Sequence, residues 1–189
     1  MDLQELIMKT VVNGENFSPE VSKSRNYKHW ISIPDEKRCV VCKDSHGKVY
    51  YAEEIPKPIP LVHPFCRCKI VNMDSIKAGT ATKNGLDGVD WWIKYDNKLP
   101  NYYVDYNDAL KKGWIPNQGN LAEVMPNTMI CGGIYRNKNG HLPSVTGRVW
   151  YEADINYKSG FRGDCRVVWS NDGLIFVTYD HYRTFYEIV

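Results

Sequence analysis

Apolar and polar residues alternate most clearly from Val149 onward. Val149, Tyr151, Ala153 and Ile155 fall on one face of an extended chain, and Trp150, Glu152, Asp154 and Asn156 on the other, which predicts a half-buried antiparallel strand. Further strand-like runs span Arg166 to Ser170, Leu174 to Tyr179 and Thr184 to Ile188, separated by Asn171-Asp172-Gly173 and by Asp180. Upstream the period changes. Leu86, Val89 and Ile93, with Trp92 beside them, form a helical stripe behind Asp87, and Asp105 or Asn107 can cap a second short helix ending at Gly113. Helices followed by a strand meander predict an α+β domain.

Before residue 80 the pattern is different. Leu3, Leu6, Ile7, Thr10 and Val11 have helical spacing, but Gly14 and Pro19 stop any helix quickly. Pro34, Pro56, Pro58, Pro60 and Pro64 each remove a backbone donor and fix φ, so loops and short strands are expected instead of long regular elements. The stretch from Asn72 to Gly88 is small and polar, which places a boundary near residue 80. Residues 1–80 are read as a small Cys/His-rich module and residues 81–189 as the α+β domain.

Composition supports folded cores: the 189 residues are 43% hydrophobic and 13% aromatic. A formal charge of +2 carries no broad basic footprint, so any contact with nucleic acid must be local. No apolar run approaches a membrane span, and the first twenty residues lack the apolar core of a signal peptide. Neither insertion nor classical export is expected. Of six cysteines, Cys39, Cys42, Cys66 and Cys68 cluster while Cys131 and Cys165 stand alone. Cys39-x-x-Cys42 followed by His63-Pro64-Phe65-Cys66-Arg67-Cys68 offers enough donors for a tetrahedral structural zinc site, with His63 or His46 able to complete the set. Two disulfides, or free thiols, are the rival readings.

Downstream, Glu152 lies on the polar strand face, Arg162 and Arg166 follow on the next turn and strand, and His181 sits in a turn between Asp180 and Tyr182. A carboxylate, an imidazole and two guanidinium groups are suited to acid-base chemistry at a phosphate. Each residue alone reads more readily as part of a solvated face or turn than as a catalytic group.

Several ordered blocks go further. Tyr151-Glu152-Ala153-Asp154-Ile155-Asn156-Tyr157, Ser159-Gly160-Phe161-Arg162 and Asp180-His181-Tyr182-Arg183-Thr184-Phe185 resemble the signature segments of barnase-type microbial ribonucleases. So do Lys98-Leu99-Pro100, Gly113-Trp114 and Gly119-Asn120-Leu121-Ala122-Glu123-Val124. The resemblance runs from about residue 84 to 189. It implies N-terminal helices packed on an antiparallel sheet, and an endoribonuclease acting through a 2′,3′-cyclic phosphate without a cofactor. By the same resemblance Glu152 is the general base, His181 the general acid, and Arg162 and Arg166 the phosphate binders. Asn137, Lys138 and Asn139 occupy the base-recognition loop, Tyr182 and Phe161 offer stacking faces, and Arg148 with Asp172 matches a structural ion pair. The chain departs from the family in three places. Tyr106 and Gly133 replace a lysine and its acidic companion, Asn139 replaces a glutamate that accepts from guanine, and Cys165 lies between the two arginines. A catalytically weak or inactive nucleic-acid-binding or phage-structural protein is the alternative.

The module resembles part of the phage minor head (head morphogenesis) proteins, through Lys28-His29-Trp30-Ile31-Ser32, Cys39-x-x-Cys42, Asp44-x-x-Gly47-Lys48-Val49-Tyr50 and His63-Pro64-x-Cys66-Arg67-Cys68. Such modules are joined to toxin domains. The two resemblances together imply a monomeric toxin, delivered to other cells or secreted by a non-classical route, with RNA as substrate and an acidic, barstar-like immunity protein as partner.

Overall fold

Residues 18–189 are described by the computed structural model; the helical spacing between Leu3 and Val11 lies outside the described residues. Among these residues nine strands form one mixed sheet: β1 (Val21–Ile31), β2 (Val49–Tyr51), β3 (Lys69–Ile76), β4 (Tyr103–Asp105), β5 (Met129–Ile134), β6 (Trp150–Asp154), β7 (Arg166–Ser170), β8 (Ile175–Thr178) and β9 (Tyr186–Ile188). Their order across the sheet is β2-β1-β3-β9-β8-β7-β6-β5-β4. Among the described residues, four short helices, α1 (Val40–Ser45), α2 (Val89–Asp96), α3 (Tyr106–Lys111) and α4 (Leu121–Val124), complete the expected α+β architecture.

The strands β5 to β9 run antiparallel, whereas β3–β9 and β4–β5 pair in parallel. Inward positions of β7 and β8 are filled by Val167, Val168, Phe176 and Val177, all buried. These strands are apolar on both faces because each face has its own cluster. Val167 and Val177 pack with Val89 and Ile93 of α2, while Val168 and Phe176 pack with Trp150, Leu142 and Phe185. The helix signals come close to the observed ends. Asp105 caps α3 by accepting the Asn107 amide at 2.8 Å. Asp87 falls in a 3₁₀ turn, and α2 starts one residue past Gly88.

The eleven-residue β1 was not expected in a proline-rich segment. Its residues precede every proline from Pro34 onward, so nothing in them interrupts a ladder. Strand β1 pairs with both β2 and β3. Its side chains also reach the ribbon beyond: Ser24 Oγ and Asn26 Nδ2 donate to the two carboxylate oxygens of buried Glu187 on β9, at 2.5 and 2.8 Å. Tyr27, Val49 and Met73 join the cluster around Phe176 and Phe185, so one core is shared across residue 80. The segment at that point is bonded into the fold. Ala78 donates to the Val189 carbonyl, and the Ala81 carbonyl accepts from Tyr179, at 2.8 and 2.7 Å. Among the described residues, no helix is long and apolar enough to cross a membrane.

Candidate active site

Strand register sets the position of Glu152, the expected base. Glu152 on β6 lies opposite Gly133 on β5, next to a bulge at Gly132 whose φ of +86° suits glycine. A Cβ on Gly133 would stand 3.1 Å from Glu152 Oε1, so the missing side chain leaves that oxygen room. The other oxygen is engaged: the Tyr182 hydroxyl donates to Glu152 Oε2 at 2.7 Å. Burial, reinforced by the Glu152 charge, pushes the Tyr182 phenol well above its ordinary pKa and keeps it a donor. Its ring stacks on Tyr135 at 5.0 Å. Tyr182 therefore orients the carboxylate.

Two arginines converge on one carboxylate. Arg162 donates through Nε and Nη2 to Asp154 Oδ2 and Oδ1, both at 2.7 Å, and Arg166 Nε stands 3.0 Å from Asp154 Oδ1. The Asp154 side chain is 1% exposed, Arg166 7% and Arg162 27%, so the ion pairs are largely shielded from water. Arg166 also donates through Nη1 to the carbonyls of Gly163 and Cys165, at 2.6 and 2.7 Å. The pattern reading assigned Asp154 to a solvated face; it is buried because the two guanidinium groups cover it.

His181 lies in the turn after β8, exposed as expected, 4.9 Å from Tyr182 between ring centroids. Both residues have positive φ, +56° and +64°, a conformation uncommon for bulky side chains. Asp180 holds this turn: Oδ1 accepts the Arg183 and Thr184 amides at 3.1 and 2.9 Å, and Oδ2 the Thr184 hydroxyl at 2.7 Å. His181 itself donates its amide to Asp164 at 3.1 Å. The sequence marks Asp180 only as the break before the last strand; its role in bracing the turn comes from these contacts, which suit an Asp at a turn.

The loop expected to recognise the base is held internally. Asn137, at φ +45°, uses its amide on Leu142 N and O and on Ser144 Oγ, so its side chain braces the loop instead of facing a ligand. Lys138 and Asn139 are exposed, as is Phe161 at 68%. Arg148 pairs with Asp172 through two nitrogens at 2.7 and 2.9 Å, which agrees with the expected ion pair. Tyr106 packs edge-on against Trp114, and nearby on the same helix Lys111 is paired with Asp108 at 2.7 Å. Cys165 is buried, and burial lifts its thiol to about 11, which makes it inert.

The cysteines of the module form two donor groups that share Cys42: Cys39, Cys42 and His63, and Cys42, Cys66 and Cys68, with the donor atoms of each group within 4.8 Å of one another. All are free thiols. His63 Nδ1 bonds the Pro64 carbonyl at 2.8 Å, while its buried Nε2 has no hydrogen-bond partner, the arrangement of a metal-ligating imidazole. A hydrogen bond donated by the Cys68 backbone N–H brings the Cys66 thiol down to about 6, favouring the thiolate that binds metal. These residues fit a metal ion. His46 does not join them; its Nδ1 accepts the Ser32 amide at 3.1 Å.

A family model described as ribonuclease matches residues 66–189. A ribonuclease of Heyndrickxia coagulans is 50% identical over 109 residues, covering 57% of this chain and 99% of that protein. Ribonucleases of Bacillus intermedius and Bacillus pumilus show the same identity over the same length, covering 67% of each.

Proposed function

From the premise that the chain belongs to the barnase-type ribonuclease family, and is an endoribonuclease acting on RNA, we propose that it cleaves by transesterification with Glu152 as base and His181 as acid. In this reading Glu152 takes the proton of the 2′-hydroxyl, and the 2′-oxygen attacks phosphorus. The bond to the 5′-oxygen breaks as His181 protonates that oxygen, leaving a 2′,3′-cyclic phosphate. Arg162 and Arg166 neutralise charge building on the phosphate oxygens. The observation that carries the reading is the Asp154 anchor, which holds both guanidinium groups beside the Glu152–Tyr182 pair. The substrate brings its own nucleophile, so the chemistry asks for no metal. Phosphorus NMR of a dinucleotide digest tests this: a cyclic phosphate should accumulate first, and direct formation of a 3′-phosphate would count against it.

The Cys39, Cys42, Cys66, Cys68 and His63 cluster is assigned a structural zinc ion, which would stabilise a module whose local core is small. The module itself is assigned a docking or delivery role, and the whole chain the role of a toxin that reaches other cells by a non-classical route. Its partner would be an acidic immunity protein seated over the groove of Arg162, Arg166 and His181, with Arg183 beside that turn. Supporting this is the exposure of His181 and Arg183 at the mouth of the site. Salt-sensitive inhibition by the product of an adjacent gene is the expected result.

A further inference from the structure

The Cys/His module reaches the ribonuclease site directly. After α1 the chain turns at Gly47, φ +83°, and its backbone lies against the turn that carries His181: a Cβ on Gly47 would stand 2.1 Å from the Arg183 carbonyl oxygen. Two residues on, the Val49 amide donates to the His141 carbonyl at 2.6 Å, two residues past the base-recognition loop. His141 closes the triangle. Its Nδ1 donates to the Tyr182 carbonyl at 2.9 Å, joining the recognition loop to the acid-bearing turn. Burial lowers the His141 pKa, and the imidazole needs only its neutral form to make this bond.

The turn is itself fixed from below. Gly47 donates to the Trp30 carbonyl at 2.9 Å, and Trp30 donates back to Lys48 at 3.0 Å. Trp30 is fully buried against Cys42, Cys66 and Cys68. Further along, the Tyr51 hydroxyl accepts from Arg148 at 3.1 Å.

We infer that the Gly47–Val49 turn is a positioning element of the ribonuclease, setting the base-recognition loop and the His181 turn relative to each other, with the Cys/His cluster holding it in place. This rests on the reading of His181 as acid and of residues 137–139 as the base-recognition loop. A module serving only as an attached extension would contribute stability but leave base preference and the kcat to KM balance alone. A positioning element changes both.

The test compares full-length Gly47→Ala with Gly85→Ala. Both glycines have positive φ, but a Cβ at Gly85 meets nothing closer than the Gly79 carbonyl at 4.0 Å. With thermal melts showing each variant folded at the assay temperature, cleavage of guanylyl-uridine and adenylyl-uridine dinucleotides is measured. Gly47→Ala should lower kcat/KM by about tenfold or more and shift the guanine-to-adenine ratio, while Gly85→Ala leaves both within about twofold. A folded Gly47→Ala with unchanged rate and ratio overturns the inference. Should it not fold, His141→Ala against His141→Asn decides, since the asparagine amide can replace the Nδ1 donor. Loss in the first and recovery in the second supports positioning; equal behaviour overturns it. Glu152→Ala and His181→Ala run alongside. If those two stay active, the assignment of the site has failed, whatever Gly47 does.

Discussion

Replacing Asp154 with asparagine removes the charge that two arginines share while keeping the side chain's size. Asp154 receives two Arg162 hydrogen bonds at 2.7 Å and faces Arg166 Nε at 3.0 Å, with its own side chain 1% exposed. Removing one partner of a buried ion pair costs about 3–5 kcal/mol, because the remaining charge is left without compensation. Arg162 is more than a quarter exposed and water takes over part of its solvation, so most of the loss comes from Arg166, and about 3 kcal/mol is expected. At about 2–4 °C per kcal/mol for a chain of this size, the melting temperature should fall by roughly 6–12 °C. Cleavage should fall by about 10- to 100-fold at a temperature where the variant is folded, since both guanidinium groups lose their aim. Urea unfolding with a double-mutant cycle against Arg162→Ala measures the coupling directly. A variant that melts within 2 °C of the parent and cleaves at the same rate would refute this account of the phosphate site.

Other expectations follow from single contacts. Burial, outweighing the attraction of Asp74, lowers His29 from 6.5 to about 4. The unfolded chain therefore binds a proton that the folded chain refuses, so stability present above pH 6.5 is lost as pH falls towards 4, by about 3 kcal/mol. In His29→Gln the drop in urea midpoint between pH 7 and pH 4.5 should shrink, and an unchanged drop would contradict the assignment. Asn139→Glu should strengthen guanine over adenine in dinucleotide cleavage by restoring a charged acceptor, with roughly a tenfold gain as the scale of one charge-assisted bond. Elemental analysis should find one zinc per chain, lost in Cys42→Ser together with several degrees of thermal stability; a metal-free parent of equal stability would contradict the zinc assignment.

Much of the ribonuclease half was legible because its strands carry alternation and its turns carry their own chemistry. Arg166–Ser170 was placed to the residue, and Asp105 capped its helix as its side chain predicts. What escaped was whatever depends on contact between distant segments. Trp150 and Asp154 share a face with Glu152, but the first is buried by the aromatic cluster and the second by two arginines, so alternation alone misread their surroundings. Strand β1 was hidden by its polar composition; Ser22, Lys23, Arg25 and Asn26 carry no strand signal, and the pairing comes from β2 and β3 on either side. The parallel join of β3 to β9, which makes one sheet of the two halves, leaves no local trace. Nor does the Gly47 turn, whose meaning lies in the Arg183 carbonyl it meets.

The central claim is that Glu152 and His181 perform the proton transfers on RNA. Initial rates of dinucleotide cleavage without added divalent cations, for the parent, Glu152→Ala and His181→Ala, test it most directly. Each substitution should reduce kcat by about 10²- to 10⁴-fold and remove one limb of a bell-shaped pH profile, with the fold intact. Cleavage by either variant at the parent's rate, or a profile that keeps both limbs, would contradict the account.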